Sequence, residues 1–333
     1  MERLVGETTA RHSVEPLSPS RFYCHLDDQP DHLVPRQSLG SQDWEDPADR
    51  FFVHPEAFIT QDETLSPQLA NTSGLDKFAF EHAIAWVCDP GTGALQPFWI
   101  SPTTASALEE IGPGNSIGRG MPDGMTRALA IAGILVPHDY AATRKREWMK
   151  TVSACARQFR DKGYVPMADL IHPFHIAALR RYYRMLMRTG QLALGDDQCS
   201  RRYVAHNESV ARFFHRQLTS TMAAVAGEPV KPSYVYIGSY QEGATLEKHT
   251  DREQCEFSLT LCLDYSPEPR RETNWPILLH TRDARVTVYQ ALGNALFYRG
   301  CEIPHSRKAL PSGHTSTSIF FHYVRESFEG PLD

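Results

Sequence analysis

Apolar and polar residues alternate one for one over residues 256–264, a pattern typical of a strand with one buried face. The apolar positions are Phe257, Leu259, Leu261 and Leu263. Further short apolar runs follow at residues 274–280, 285–289, 293–298 and 317–324. Turns that contain Pro, Gly or Asp separate these runs. The C-terminal part of the chain is therefore predicted to form a succession of short strands.

Helical spacing dominates between residues 139 and 227. Residues 141–162 carry apolar side chains three and four apart, and Gly163 is predicted to end this helix. A strand is expected over residues 163–171, and two more helices are expected from His172 and from Asn207. The arginines of the first of these two helices are predicted to form a solvated face, and they are Arg180, Arg181, Arg184 and Arg188.

The N-terminal part has a different pattern. Residues 1 to about 72 are rich in Pro, Ser, Asp and Gln, so extended or irregular structure is expected there. Residues 75–99 predict a strand hairpin around the turn 89–93, and two short helices are expected from Thr103, as a threonine cap, and from Pro122. These elements suggest a small accessory module, which is either a buttress or a recognition element.

Composition and charge exclude several classes of protein. The chain has 333 residues and a formal net charge of -6 at pH 7, so neither nucleic acid nor a membrane surface is an expected partner. No apolar run is long enough to span a bilayer, and no secretory signal opens the chain. The seven cysteines are scattered singly, which predicts reduced thiols and a cytoplasmic location.

Three residues form a candidate metal site. His249 and Asp251 are separated by one residue, so on an extended strand both side chains would project to the same face. His305, far downstream, would complete a set of two imidazoles and one carboxylate, the ligands typical of non-haem Fe(II) oxygenases. His172 and His175 lack an accompanying carboxylate and are predicted to cap the helix or make surface contacts instead. The same reading applies to His206, His215, His280 and His322.

The context of this triad resembles the 2-oxoglutarate and Fe(II)-dependent dioxygenases, especially the prolyl-hydroxylase-like branch. Tyr240 precedes His249 by nine residues, as a tyrosine does in that family, and a glycine-led strand from Gly293 rises to His305. The resemblance covers about the C-terminal half. It implies a mixed α and β fold with a double-stranded β-helix (jelly-roll) core over residues 139–333, wrapped by helices and preceded by the extension and module of residues 1–138.

One position departs from the family pattern. About ten residues beyond the second histidine the family places an arginine or lysine that holds the distal carboxylate of 2-oxoglutarate, often followed two residues later by serine. This chain has His314 and Ser316 there, and histidine is only partly charged at neutral pH. Arg307, two residues past His305, is a second candidate for this role, and the resemblance assigns Tyr240 a hydrogen bond to the same cosubstrate.

The resemblance implies Fe(II), 2-oxoglutarate as cosubstrate, molecular oxygen, and ascorbate as a candidate further cofactor. The reaction would oxidise 2-oxoglutarate to succinate and CO2 and hydroxylate an unactivated C–H bond of an amino acid, peptide or specialised metabolite. Related halogenases replace the ligand carboxylate with a small residue, so Asp251 implies a non-halogenating oxidation. Two alternatives stay open, a zinc hydrolase on the same triad and an inactive dioxygenase fold that acts as a binding protein.

Overall fold

Two antiparallel β-sheets in the C-terminal half hold most of the residues singled out above. A computed structural model describes residues 20–26, 51–61, 66–118 and 121–333, so the predictions for residues 1–19, 27–50 and 62–65 lie outside the described residues. The described part contains five α-helices, and these are α1 (Pro102–Ile111), α2 (Asp123–Ile131), α3 (Tyr140–Lys162), α4 (Pro173–Arg188) and α5 (Ser209–Ala226). None of these helices is long and apolar enough to cross a membrane.

Sixteen strands accompany the helices in the described residues. They are β1 (Phe52–Val53), β2 (Phe58–Thr60), β3 (Ile84–Cys88), β4 (Leu95–Trp99), β5 (Leu135–Val136), β6 (Tyr164–Met167), β7 (Ala193–Leu194), β8 (Arg202–His206), β9 (Val230–Tyr240), β10 (Leu246–His249), β11 (Phe257–Ser266), β12 (Ile277–His280), β13 (Arg285–Val288), β14 (Ala295–Arg299), β15 (His305–Arg307) and β16 (Thr315–Arg325). The succession of short strands predicted for the C-terminal part is therefore confirmed.

The larger sheet has seven strands in the order β6-β14-β11-β16-β9-β8-β7, and the smaller has four in the order β10-β15-β12-β13. Every pairing in both sheets is antiparallel. Inward side chains of the two sheets meet in one apolar cluster, in which Ile277 and Leu279 of the smaller sheet pack with Leu296 and Tyr298 of the larger. This contact places the two sheets face to face.

Strand β11 shows why the alternating pattern arises. Its apolar positions lie in the main hydrophobic cluster, where Phe159 of α3 contacts Phe257 with ring centroids 6.1 Å apart. The polar positions, Ser258 and Thr260, are buried as well, because they face the smaller sheet instead of water. The sequence predicted the alternation correctly, but solvent does not cover the polar face.

Local signals set the ends of the helices. Gly163 ends α3 with φ of 75°, a left-handed conformation that glycine adopts without strain. His172 caps α4, since its side chain accepts a hydrogen bond from the backbone N–H of Phe174, as predicted. The prediction that Thr103 caps α1 is wrong. Ser101 provides the cap there by accepting from the N–H of Thr104.

The predicted solvated arginine face of α4 is wrong for two of its members. Arg184 donates to both carboxylate oxygens of Asp264 on β11, at 2.5 and 2.7 Å, and Arg180 donates to the same carboxylate at 3.0 Å. Arg180 also pairs with Glu268 at 2.9 Å. Because Asp264 is remote in sequence, only the packing of α4 on the sheet brings these charges together.

The N-terminal elements share their core with the C-terminal part. The hairpin predicted for residues 75–99 is present as β3 and β4, and both expected helices form as α1 and α2. Phe78 packs on Phe213 of α5 with ring centroids 5.1 Å apart, and Phe22 packs on Phe214 at 6.0 Å. A division at residue 138 stays a prediction, and the shared packing favours a buttressing role for the N-terminal elements.

Candidate metal centre

Three side chains from separate segments converge between the two sheets. His249 ends β10, His305 begins β15, and these residues are cross-strand partners with ring centroids 4.4 Å apart. Asp251 Oδ1 lies 3.7 Å from His249 Nε2 and 3.4 Å from His305 Nε2. Six-coordinate ligand atoms at about 2.1 Å from a metal lie about 3 Å from one another, so these spacings are close to those of a metal site.

Both imidazoles are held with one nitrogen turned away from the carboxylate. His249 Nδ1 lies 2.7 Å from the carbonyl oxygen of Glu247, and His305 Nδ1 lies 3.1 Å from that of Ile303. A carbonyl oxygen only accepts, so Nδ1 carries a proton in each ring and Nε2 is the nitrogen that is available to a metal. Burial lowers the pKa of His249, which further favours the neutral ligand form.

Asp251 is oriented by its other oxygen. Ser258 donates to Oδ2 at 2.6 Å, and the ring of His322 lies 3.0 Å from the same serine hydroxyl. Burial opposes ionisation of Asp251, but hydrogen bonding and charge from His305 outweigh this effect and hold the pKa of the carboxyl well below its usual range. The ionised Oδ1 therefore faces the two Nε2 atoms.

The position of Asp251 is not set by strand alternation, because β10 ends at His249. The backbone N–H of Asp251 bonds to the carbonyl oxygen of Gly300, in the turn between β14 and β15. A Cβ on Gly300 would lie 2.5 Å from Asp251 Oδ2 and 2.3 Å from the carbonyl oxygen of Cys255. The carboxylate can occupy its place only because residue 300 has no side chain.

The donor set fits a divalent metal of the iron or zinc kind. One ligand atom from each of His249, Asp251 and His305 lies within 4.8 Å of the others. The three side chains are 26%, 12% and 3% exposed, so the set is accessible mainly on the His249 side. Two imidazoles and one carboxylate leave further coordination positions for a substrate or cosubstrate.

Tyr240, at the end of β9, is 1% exposed, and its ring packs against Trp275 with ring centroids 5.0 Å apart. Arg202 of β8 donates to the Tyr240 hydroxyl at 2.9 Å, so the phenol oxygen acts as an acceptor and its own hydrogen is available to a ligand. Ser316 is the cross-strand partner of Tyr240 and is also buried. The structure thus brings together two of the four predicted cosubstrate residues.

Arg307, on the strand of His305, is 6% exposed. Its guanidinium donates to the backbone oxygen of Trp275 at 2.7 Å and to Gln290 at 3.3 Å, and it lies 4.5 Å from the Trp275 ring centroid. Burial lowers the pKa of Arg307, and no described carboxylate forms an ion pair with it. A buried cation without a counter-charge is costly, which suits a site that receives an anion.

The ring of His314 contacts that of Tyr265, a member of the apolar cluster of Tyr240 and Trp275, with ring centroids 5.6 Å apart. The backbone N–H of His314 bonds to Pro311 O and its Nδ1 lies 2.9 Å from Ser312 O, so it stands in the turn before β16. It lines a surface cleft of about 530 Å³ together with Arg201, Glu242 and Thr315. Because β16 begins only at Thr315, strand alternation does not place the His314 side chain on the same face as Ser316.

Several residues at the site are not predicted from the sequence. Ser258 could have been suspected from the polar face of β11, but nothing in the sequence marks Arg202, Gln290 or Gly300. Tyr298 is buried, and its hydroxyl lies 3.3 Å from His305 Nε2. The hydroxyl of Thr260 is buried without a partner among the described residues, although Gln290 donates to its backbone oxygen at 2.9 Å.

No protein-family model and no curated protein matches this chain. Among solved structures it is similar to a prolyl-4-hydroxylase from Pseudomonas putida, with 16% identity and a TM-score of 0.44 over 53% of this chain and 100% of that one. A 2OG-Fe(II) oxygenase family oxidoreductase from Burkholderia pseudomallei has 14% identity and a TM-score of 0.43, over 54% and 92%. A prolyl hydroxylase from Trichoplax adhaerens, in complex with a hypoxia inducible factor peptide fragment, has 10% identity and a TM-score of 0.45, over 54% and 92%.

Proposed function

We propose that this chain is a non-haem Fe(II) and 2-oxoglutarate-dependent dioxygenase that hydroxylates an unactivated C–H bond. One observation carries the proposal. The Nε2 atoms of His249 and His305 converge with Asp251 Oδ1, while both Nδ1 atoms are held by backbone carbonyls. In this proposal the two facing sheets are the halves of a double-stranded β-helix, with the centre between them.

The ligand geometry favours a bound metal over an ordinary polar cluster. In the other buried histidines of the helices, the Nε2 atom is bonded to a backbone oxygen, as in His175 with Pro97 at 2.7 Å. Among the described histidines, only His249 and His305 turn their Nε2 atoms toward one and the same carboxylate, that of Asp251. Iron bound there would activate oxygen with 2-oxoglutarate, which yields succinate, CO2 and a hydroxylated substrate.

Arg307 is the best-placed anchor for the distal carboxylate of 2-oxoglutarate. It is a permanently charged fork, is buried without a described carboxylate, and lies on the same strand as His305. Tyr240, with its available hydroxyl hydrogen, and the buried Ser316 would add hydrogen bonds to the same ligand. His314 remains the alternative anchor, and it would have to leave its turn to reach the centre.

The protein itself would orient the reactants and exclude water. Ser258 fixes Asp251, so that one oxygen is turned to the metal position and the carboxylate cannot swing away. The buried rings of Trp275 and Tyr298 lie beside Arg307 and His305 and shield the inner side of the site. Reaction would therefore take place at the open side of the centre, near His249. The expected substrate is an amino acid, a peptide or a specialised metabolite.

The test is anaerobic addition of Fe(II) and 2-oxoglutarate to the full chain, followed by succinate release in air. We expect a weak visible absorption band from the chelated metal, and its loss together with succinate release in His305→Ala. His82→Ala, which removes an exposed histidine, is the matched control and should behave as wild type. Full activity in His305→Ala would overturn the assignment. Tight zinc binding without the band would indicate the hydrolase, and no binding of metal or cosubstrate would indicate a binding protein.

A further inference from the structure

A row of aromatic rings covers the inner face of the larger sheet beside the candidate metal centre. We call this row the ring shelf, and it consists of His206, Tyr234, Tyr236, Phe320 and His322. His206, Tyr236 and Phe320 are aligned cross-strand partners on β8, β9 and β16. The register of the sheet therefore places their side chains on one face.

The rings contact one another in a continuous chain. Ring centroids of His206 and Tyr234 are 4.9 Å apart, and those of Tyr234 and His322 are 4.7 Å apart. Phe320 lies 6.5 Å from His322 with ring planes within 5°, and 6.4 Å from Tyr236. Together the rings form a broad apolar surface with polar groups at its edges.

The shelf is connected to the candidate metal centre through one intervening residue, Ser258. His322 Nδ1 lies 3.0 Å from the Ser258 hydroxyl, which donates to Asp251 at 2.6 Å. On the other side, Arg202 lies over the rings of both Tyr236 and Tyr240, with its guanidinium carbon 5.3 and 5.5 Å from their centroids. The shelf is thus bounded by the metal ligands at one end and by the proposed cosubstrate residues at the other.

Between the shelf and Tyr240 the same face carries only small side chains. The next aligned row consists of Val204, Gly238 and Ser318. A Cβ on Gly238 would lie 3.1 Å from Phe320 and 3.2 Å from Tyr240, so even alanine would crowd both rings. This row makes a shallow recess between two aromatic borders. Tyr234 and His322 are buried, but Tyr236 and Phe320 are only half-buried and the His206 side chain is 43% exposed, with Asp333 3.5 Å from its Nε2. The part of the shelf formed by His206, Tyr236 and Phe320 is therefore open to a ligand.

An arginine stands at the edge of the shelf. Arg252 directly follows the ligand Asp251 and is exposed, with its guanidinium carbon 5.2 Å from the Tyr234 centroid. It donates to the Tyr234 hydroxyl at 2.9 Å and forms no ion pair with a described carboxylate. The other cation of the shelf, Arg202, is already neutralised by Asp196 at 2.5 Å. Arg252 therefore supplies the unmatched positive charge of this surface.

We propose that the ring shelf and Arg252 select a substrate that combines a flat apolar ring system with a carboxylate. The inference rests on the proposed function, because it takes the metal centre as the place of reaction. Stacked rings favour a planar partner, and a guanidinium fork matches a carboxylate. A single unmatched cation suits a monoanion better than a doubly charged phosphate. Aliphatic amino acids and neutral metabolites would use only part of this surface.

Binding can be measured without turnover. The probe is 2-naphthoate, titrated by its own fluorescence against the zinc-loaded full chain, with 2-naphthamide as the neutral analogue and cyclohexanecarboxylate as the non-planar acid. We expect saturable binding of 2-naphthoate, and binding roughly tenfold or more weaker for either analogue. Absence of 2-naphthoate binding, or equal binding of the three compounds, would overturn the proposal.

Variants locate the bound probe. Arg252→Gln should remove the preference for 2-naphthoate over 2-naphthamide, and Phe320→Leu should weaken the binding of both compounds. Arg216→Gln on α5 and Tyr289→Leu, both exposed and remote from the shelf, are the matched controls. Unchanged binding in Arg252→Gln and Phe320→Leu contradicts the proposal, as does displacement of 2-naphthoate by 2-oxoglutarate, which would place the probe in the cosubstrate site. These results can be read even if the chain fails to oxidise 2-oxoglutarate, so the two proposals fail separately.

Discussion

At the scale of single residues, the bonding of each histidine separates candidate ligands from packing residues. His175 and His215 are buried and His172 is half-buried, and their Nε2 atoms lie 2.7 to 3.0 Å from backbone oxygens. Such a nitrogen carries a proton and cannot bind a metal. His249 and His305 have the opposite arrangement, with Nδ1 bonded to the backbone. The residue type alone does not show this difference.

Tyr240→Phe tests the hydrogen bond proposed between the phenol and 2-oxoglutarate. The change keeps the ring that packs against Trp275 and removes only the hydroxyl. Loss of one hydrogen bond to a charged acceptor should cost about 1.5–3 kcal/mol, which weakens 2-oxoglutarate binding roughly ten- to a hundredfold. Anaerobic titration of the visible band measures the affinity for 2-oxoglutarate, with Tyr289→Phe, at an exposed position, as the control. An unchanged affinity would show that Tyr240 serves only the core.

Arg307→Gln and His314→Gln separate the two candidate anchors of the distal carboxylate. We expect Arg307→Gln to weaken 2-oxoglutarate binding at least tenfold, and His314→Gln to leave it unchanged, because only Arg307 is buried beside the centre. An arginine anchor also predicts an affinity nearly constant between about pH 6 and 8. If affinity falls as pH rises and His314→Gln abolishes that fall, His314 is the anchor.

At the scale of elements, the ends of strands assemble the centre. One ligand closes β10, another opens β15, and Asp251 belongs to neither strand. The turn after β14 holds Asp251 through the Gly300 carbonyl, and β11 orients it through Ser258. Two stretches distant in sequence, residues 246–258 and 295–305, must therefore pack correctly before the three ligands can meet.

Gly300→Ala tests this assembly without touching a ligand. The new methyl group would lie closer to Asp251 Oδ2 and Cys255 O than atoms can approach, so the carboxylate must shift. We expect Fe(II) affinity to fall at least tenfold while far-ultraviolet circular dichroism stays close to wild type. Gly124→Ala on α2 is the control, because it has open space around it. Wild-type metal affinity in Gly300→Ala would show that the turn does not constrain Asp251.

At the scale of the whole molecule, buried neutral histidines link stability to pH. Burial lowers the pKa of His175 to about 3, that of His215 to about 3 and that of His172 to about 4. These side chains titrate near pH 6.5 in the unfolded chain, so that state binds more protons at mildly acidic pH. Their contribution to stability is complete above about pH 6.5 and decreases as the pH falls toward the folded-state values.

His175→Gln should reduce this dependence. Glutamine does not titrate and can still donate to the Pro97 oxygen that His175 contacts. Between about pH 6 and 4, the free energy of unfolding of the variant should fall less steeply than that of wild type, by roughly 1.4 kcal/mol per pH unit. Denaturant unfolding at several pH values measures both slopes, with the exposed His82→Gln as control. Equal slopes in His175→Gln and wild type would mean that His175 is not neutral in the folded chain.

The sequence by itself determined the local elements and the identity of the candidate ligands. Alternation predicted β11, a glycine predicted the end of α3, and the His-x-Asp spacing with a distant histidine predicted the triad. These features depend on backbone periodicity and on residue type, both of which are written along the chain.

Only the tertiary structure decided which charges and hydrogen bonds surround the ligands. The pairing of Arg180 and Arg184 with Asp264, and the burial of Arg307 beside the centre, join residues that are distant in sequence. The strand register decided that Phe320 and Tyr236 lie on one face, and the turn at Gly300 decided where Asp251 stands. Burial, counter-charge and ring contact depend on which segments pack together, and no local pattern specifies that packing.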